Sequence, residues 1–368
     1  MMTRFELTTV LEDARVNGLT HSLFPYPART TPSIPREAIA KLSPPGGIVL
    51  DPFCGGGTTL VEALGQGRRA VGNDLNPIAV YVSKVKTSRL DPHKFDNAFS
   101  YVLAGLNGDI PSQVDGSDLF DERELTILPR SVVSGVYGLS SLIDNLSFSS
   151  DVTRLLRLVL GATCFTLQER RMLDRIATGK VSFEALYAGR LREASKSVHA
   201  FHSQVSGVYT SQVLNQDAAA LSEFIPSVIP RADLAVMSPP YIDVHVEYAE
   251  IMIGGRVRSM LVPKLLNIPM ERKNYVISER QYFEKLGDIA SMLTQVVKKG
   301  AYVCVIVGFK NSDYDKRFNS VFRSNGLRLV SRWVRPVKAT YHTRRMFHSF
   351  LSKKSVMMRR EYVLFYRT

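Results

Sequence analysis

The chain has 368 residues, 45% of them hydrophobic, and a formal net charge of +13. That length holds one large α/β domain with an inserted subdomain, or two modest domains, and it buries a sizeable core. The longest apolar runs, such as Ile48 to Leu50 and Tyr302 to Gly308, are strand-sized and exclude a membrane-spanning helix.

In chain order, residues 46–53 read as a buried strand and Thr58 to Leu64 as a helix entered through glycines. Arg69 to Asp74 is a second predicted strand, followed by Asn76-Pro77 and a helical run from Ile78 to Val85. Residues 87 to about 207 then interrupt the pattern. They begin with an acidic stretch containing Gly and Ser, Asp109 to Glu124. Amphipathic helical sequence follows over Asp151 to Leu160, Leu167 to Ile176 and Phe183 to His199. Short strands are predicted at Gln212 to Gln216 and Leu234 to Met237, a helix over Gln281 to Lys298, and a β-branched strand at Tyr302 to Val307. Arg328 to Val334 and Tyr362 to Tyr366 read as a closing hairpin. Together these give an α/β fold with a Rossmann-like doubly wound sheet, mostly parallel with a closing antiparallel hairpin. Residues 1–86 and 208–368 build that sheet domain, and 87–207 form a largely helical inserted subdomain.

The first residues carry no apolar stretch of a secretion signal, so a cytoplasmic protein is expected. The three cysteines, Cys54, Cys164 and Cys304, are widely spaced, which suits a reducing compartment and gives no metal site. The surplus of cations favours a polyanionic partner, nucleic acid or an anionic membrane surface, with a merely basic soluble protein as the alternative.

The segment Asp51-Pro52-Phe53-Cys54-Gly55-Gly56-Gly57-Thr58-Thr59 lies between a predicted strand and helix. Glycines there let the backbone approach a ligand, and the helix N-terminus offers free N–H groups. A plain tight turn is the alternative. Asp74 lies 23 residues beyond Asp51, where a carboxylate can accept hydrogen bonds from both ribose hydroxyls of a nucleoside; a helix cap is the alternative. Asp217, after the third strand, could accept from an adenine amino group. Cys54 reads as a small packing residue. No Gly-Lys-Ser/Thr ends the turn, which excludes a P-loop, and no G-x-G-x-x-G occurs there.

Ser238-Pro239-Pro240-Tyr241 follows the strand at 234–237. An exocyclic amine on a base is a poor nucleophile because its lone pair is delocalised into the ring. Acceptors such as the Ser238 hydroxyl and the Pro239 carbonyl can each take one N–H and return density to nitrogen. Two prolines hold the backbone and remove competing donors. Tyr241 offers a platform for an unstacked base. A polyproline loop that binds an aromatic groove is the alternative.

The turn is similar to motif I of the amino DNA methyltransferases, D-P-F-x-G-x-G-T-T, and the tetrapeptide to their motif IV, (D/N/S)-P-P-(Y/F/W). Upstream, His21-Ser22-Leu23-Phe24-Pro25-Tyr26-Pro27-Ala28-Arg29 resembles the Y-P-A-[RK] segment that lines the methionine end of the cofactor. The resemblance covers about 200 residues of catalytic core and leaves the insertion unmatched. It implies S-adenosylmethionine (SAM) as cofactor, no metal, and duplex DNA as substrate, with a cognate restriction endonuclease as a possible partner and a prokaryotic, nucleoid-associated setting. Cofactor contacts are implied for Tyr26, Arg29, Asp51, Phe53, Cys54, Gly55, Gly57, Thr58, Thr59, Asp74, Leu75 and Asp217. Ser238, Pro239, Pro240 and Tyr241 are implied as catalytic, and the insertion as the target-recognition part.

Residues 327–368 hold eight Arg and three Lys against one acid, Glu361, interleaved with Tyr341, His342, Phe347 and Phe350. A phosphate backbone and unstacked bases suit such a segment; a solvated basic surface is the alternative. A second basic loop, Arg256 to Lys273, is expected to close over the base. Serine at the head of the tetrapeptide is commoner in the cytosine-N4 enzymes of the family, which favours that target over adenine-N6. Cytosine-C5 chemistry needs a Pro-Cys pair, which the chain lacks. Three other readings stay open: an RNA guanine-N2 methyltransferase, a non-catalytic DNA-binding subunit and a small-molecule methyltransferase. The first is disfavoured by the 20 residues before His21, too few for an RNA-binding domain.

Overall fold

The computed structural model describes residues 18–27, 30–106, 115–205, 210–228, 231–240, 250–269, 278–309, 312–336 and 360–368. Its centre is a seven-stranded sheet made of β1 (Ile48–Asp51), β2 (Arg69–Asn73), β3 (Ser211–Leu214), β4 (Ala232–Met237), β7 (Val297–Val307), β8 (Arg328–Pro336) and β9 (Arg360–Arg367). The remaining strands, β5 (Ile251–Ile253) and β6 (Val257–Ser259), pair as an antiparallel ribbon. In the large sheet the order is β3-β2-β1-β4-β7-β9-β8. β3, β2, β1, β4 and β7 run parallel. β9 inserts antiparallel between β7 and β8.

Alternate residues explain the layering. Ile48 and Leu50 of β1 face a core completed by helices Glu279–Val296 and Ser312–Ser324. Val49 between them faces the opposite core, with Ile39, Leu60 and Leu64 from helices Ser33–Leu42 and Thr58–Gly65. Strands covered on both faces read as continuous apolar runs, which is why β1 and β7 were legible from sequence. Helix Glu279–Val296 starts at a capping box, with the Ser278 side chain on the Gln281 N–H and Gln281 returning to the Ser278 N–H. It ends two residues before the predicted limit because Val296 and Val297 are β-branched and Val297 already belongs to β7.

The insertion is helical, as expected, and contains two long helices that the pattern of apolar residues had not marked, Pro92–Leu106 and Arg130–Asn145. With Ser150–Cys164, Arg170–Ala177 and Phe183–Gln204 they surround a third core. That core is not the insertion's own. It takes in Ile78, Val82 and Val85 from helix Pro77–Lys86, and Ile251, Ile253, Leu261 and Leu265 from the segment that follows the tetrapeptide. Polar ties reinforce the union: Arg157 donates to the Leu265 carbonyl at 2.7 Å, Lys264 to the Leu119 carbonyl at 2.9 Å, and the Gly254 N–H to the Leu167 carbonyl at 2.8 Å. The expected loop from Arg256 to Lys273 is therefore, over its described part, the second strand of the ribbon and helix Leu261–Leu265 packed on the insertion. Among the described residues no helix is long and apolar enough to cross a membrane.

Candidate active site

In a parallel sheet the C-terminal ends of the strands open toward a crevice where the strand order reverses. Here the chain moves from β1 outward to β2 and β3, then returns to β4 on the other side of β1. Leu50 is paired with Ala235, so Asp51 and Ser238 leave the sheet at the same edge of neighbouring strands. The glycine turn follows β1, Asp74 follows β2, Asp217 follows β3 and Ser238-Pro239-Pro240 follows β4. Arg29 and Tyr241 lie outside the described residues.

The turn is held by its own backbone and by Asp74. The Cys54 N–H donates to the Asn73 carbonyl at 2.9 Å and the Gly57 N–H to the Cys54 carbonyl at 2.8 Å. Asp74 accepts from the Gly55 N–H through one oxygen and from the Asn76 N–H through the other, both at 2.9 Å. A carboxylate offers about four lone-pair sites, so two remain for hydroxyls of a ligand. The cap of the next helix is Asn76, whose side chain accepts from the Ile78 N–H at 2.9 Å. Leu75, beside Asp74, is 65% exposed.

The glycines serve packing as much as ligand approach. Gly57 has φ +77°, and a Cβ there would lie 2.9 Å from the Ser83 Oγ; a Cβ on Gly56 would lie 2.8 Å from the Tyr26 Cβ. Ser83 also donates to the Gly55 carbonyl at 2.8 Å. Tyr26 is buried against the turn, and its hydroxyl accepts from the Asn76 side chain at 3.4 Å. Cys54 is buried, 3.5 Å from the Ser83 hydroxyl, and burial pushes its thiol well above the usual range. That is the chemistry of a packing residue, without the stabilised thiolate that a nucleophile needs.

Asp51 is buried under the turn. Burial pushes its carboxyl up to about 7, with the negative charge of Asp74 adding to the rise, against hydrogen bonds from the Thr59 hydroxyl and the Phe53 N–H. Phe53 is half-buried beside it, and Thr58 begins the helix at the turn's end. Asp217 is exposed; it accepts from the Ala219 N–H at 3.0 Å and stands 3.8 Å from Lys285 Nζ, so part of its capacity goes to capping a short helix. At the end of β4, Ser238 is half-buried, Pro239 buried and Pro240 exposed.

Three side chains that the sequence analysis did not single out build this site. Asn73 donates to the Pro52 and Gln216 carbonyls and accepts from the Gln216 N–H, clamping together the ends of β1, β2 and β3. Glu62, on the helix after the turn, accepts from His21 and Arg36, each at 2.8 Å. Burial pushes the Glu62 carboxyl up, but these two partners outweigh it and hold the group below its ordinary value. Lys86, almost fully buried, donates to the carbonyls of Gly56 at 3.1 Å, His21 at 3.3 Å and Phe24 at 3.5 Å. It thereby ties the upstream segment to the glycine turn. Lys86→Met leaves the Gly56 and His21 carbonyls without this donor, while the Phe24 carbonyl keeps the Tyr26 N–H, and is expected to lower the unfolding free energy by about 1–3 kcal/mol. Chemical denaturation checks this; wild-type stability in the variant would show that the three carbonyls do not depend on the ammonium.

The donor set fits SAM. A half-buried carboxylate at Asp74, an exposed apolar side chain at Leu75 and a buried acid at Asp51 are the kinds of group that its ribose, its adenine and its cationic end would take. Among the described residues no group of three or more His, Cys, Asp or Glu side chains is placed to hold a metal ion.

Comparison with known proteins bears on this arrangement. Residues 5–85 match the family model of the N6 and N4 methyltransferases, described as DNA methylase. The chain is 33% identical over 129 residues to the type II methyltransferase M.MvaI of Kocuria varians, covering 34% of this chain and 24% of that protein. It is 31% identical over 74 residues to the type II methyltransferase M.MjaII of Methanocaldococcus jannaschii, covering 20% of this chain and 14% of that one. The chain thus spans about a quarter or less of the length of the curated relatives it matches. Among solved structures it is similar to the rRNA methyltransferase aviRa of Streptomyces viridochromogenes, at 12% identity and TM-score 0.36 over 98% of this chain and 90% of that one. It is also similar to TrmN of Thermus thermophilus, at 12% identity and TM-score 0.34 over 92% of this chain and 49% of that one. Those scores are too low to weigh on function.

Proposed function

We propose, from this relationship to the DNA methylases, that the chain transfers a methyl group from SAM to the exocyclic amino group of a base flipped out of duplex DNA, with cytosine N4 as the favoured target. The observation that carries this reading is the meeting of the glycine turn, Asp51, Asp74 and Ser238-Pro239-Pro240 at one edge of adjacent strands, where the strand order reverses. Residues 87–207, with the segment packed on them, would read the target sequence, and a cognate restriction endonuclease would be the natural partner of such an enzyme.

When bound, SAM supplies an electrophilic methyl on a cationic sulfur. The chain's part is to present the nucleophile. Ser238 Oγ and the Pro239 carbonyl accept the two amino hydrogens, which concentrates the lone pair on nitrogen and aims it along the line of transfer. The amino nitrogen so presented would take the methyl group as its bond to sulfur breaks, and the methylated amine would then lose a proton to solvent. Serine holds no negative charge near neutral pH, so that proton leaves after the transfer. Tyr241 stacks on the base and offsets part of the unstacking cost, about a few kcal/mol.

Expression in a host free of DNA methylation, followed by sequencing for modified bases, tests this reading. N4-methylcytosine is the expected product. N6-methyladenine would move the target to the other amino base, and methyl label in RNA with none in DNA would overturn the proposal.

Asp51 adds a pH signature. Its carboxyl, raised to about 7 in the folded chain against 3.8 for the unconstrained group, contributes stability that is complete below the lower value. That contribution is lost as pH rises from the lower value through the upper, because over that range the unfolded chain has given up the proton that the folded chain still holds. A cationic ligand beside the carboxylate reverses the cost. SAM affinity is therefore expected to rise between about pH 6 and about pH 8, and Asp51→Asn to flatten the rise. Titration calorimetry across that range decides; an unchanged slope in the variant would remove Asp51 from the cofactor's surroundings.

A further inference from the structure

Charge is divided unevenly along the insertion. Residues 87–151 hold four Lys or Arg and ten Asp or Glu, whereas residues 152–196 hold nine and four. Three of those nine cations lie on helix Arg170–Ala177, which buries Leu173 and Ile176 and leaves Arg170, Arg171 and Arg175 exposed with one acid, Asp174. No ion pair with a described residue neutralises these three.

Two contacts link this helix and the turn before it to the upstream segment and to the ribbon. Phe165, in the turn before it, meets Phe24 edge to face at 5.3 Å, and Phe24 is two residues from Tyr26, which covers the glycine turn. On its other side Leu173 packs against the ribbon, where a Cβ on Gly254 would lie 3.2 Å from the Leu173 Cδ1. Gly254 and Gly255, with φ +56° and +70°, turn the ribbon tightly and lead into the exposed Arg256. Helix and ribbon thus carry exposed guanidinium groups from two distant parts of the chain on elements that pack together.

We propose that Arg170, Arg171, Arg175 and Arg256 form a docking surface for the phosphate backbone of duplex DNA flanking the target base. The proposal rests on the nucleic-acid reading above. Extruding a base requires the backbone beside it to be held, and a rigid helix carrying forked, permanently charged donors does this without reading sequence. The acidic half of the insertion would then keep the duplex from its remaining faces.

The test is binding and turnover by the R170E/R171E/R175E variant and by the R170Q/R171Q/R175Q variant, using a synthetic DNA duplex and a duplex RNA of the same length. We expect the dissociation constant for DNA to rise at least about tenfold at moderate salt, more for Glu than for Gln. Its salt dependence should weaken by about 0.9 in log-log slope for each phosphate that is no longer neutralised. SAM affinity and kcat at saturating DNA should stay within about twofold of wild type. Arg323→Glu, at the far end of helix Ser312–Ser324, serves as the control and should change DNA affinity little. If wild type methylates DNA and both triple variants bind it with unchanged affinity and slope, the docking surface is wrong. If wild type binds DNA through this patch without methylating it, the catalytic reading fails and the surface stands. Tighter binding of duplex RNA than of DNA, abolished by the same substitutions, would overturn the choice of partner.

Discussion

Ser238→Ala is expected to lower kcat by about a hundredfold to a thousandfold while leaving SAM affinity within about twofold, the scale seen when one preorganised hydrogen-bonding group at a reacting centre is removed. The effect is confined to turnover because Ser238 belongs to the end of β4, whereas the proposed cofactor contacts come from the upstream segment and the ends of β1, β2 and β3. Alanine keeps the backbone, the buried Pro239 ring and its carbonyl, and removes one acceptor. The amino group of the base then retains one N–H bound to water or to nothing, and its lone pair stays in the ring. Steady-state kinetics with titration of SAM separate the two quantities. Loss of SAM affinity in parallel with kcat would move Ser238 out of the base pocket. Tyr241→Ala is expected to behave alike, with an additional weakening of DNA binding because the base has no ring to stack on.

Gly57→Ala is expected to destabilise the chain by about 2–4 kcal/mol and to lower SAM affinity more than tenfold. Two costs combine. The backbone at Gly57 has φ +77°, and the new methyl would meet Ser83 Oγ at 2.9 Å and its Cα at 3.2 Å. Backbone at the Ser83 Cα cannot swing aside as a side-chain tip does, so helix Pro77–Lys86 must shift or the turn must open. Gly67→Ala isolates the first cost, since Gly67 has φ +72° but open space around it; about 1–2 kcal/mol is expected there and no change in SAM affinity. Denaturant unfolding of both variants, with and without SAM, provides the comparison. Equal stability of the two would mean that the fit against Ser83 is not what demands glycine at 57.

The buried strands β1, β4 and β7 were readable because burial on both faces writes itself into sequence as short apolar runs ended by Gly, Pro, Ser or Asp. The same logic located the turn, Asp74 and the tetrapeptide, since each sits where a strand stops. The side chains that join these pieces were not readable. Lys86 looks like an ordinary cation in the last turn of a helix, and only the folded chain brings the Gly56, His21 and Phe24 carbonyls to it. Asn73 looks like the end of a strand, and its clamp on Pro52 and Gln216 depends on register across three strands. Helix Arg130–Asn145 was hidden by its several Ser and Gly residues, which dilute the apolar stripe of Val132, Val136, Leu139 and Ile143. The basic tail divides in the structure: Arg332 is paired in two hydrogen bonds with Asp315, and Arg367 donates to the Gly300 carbonyl. Those two are committed to the protein. The stretch from Tyr341 to Phe350 lies outside the described residues.

The core shared by the insertion and the segment after the tetrapeptide bears on how such a protein could diversify. A graft that exchanged residues 87–207 alone would leave Ile251, Ile253, Leu261 and Leu265 facing an unrelated surface, and the newcomer would lack the part of its interior that they supply. A module exchanged at this core would be discontinuous: the insertion, the segment after the tetrapeptide and the face of helix Pro77–Lys86 that meets them would have to stay matched. Recombination within one stretch is penalised, and drift in one selects for compensation in the others.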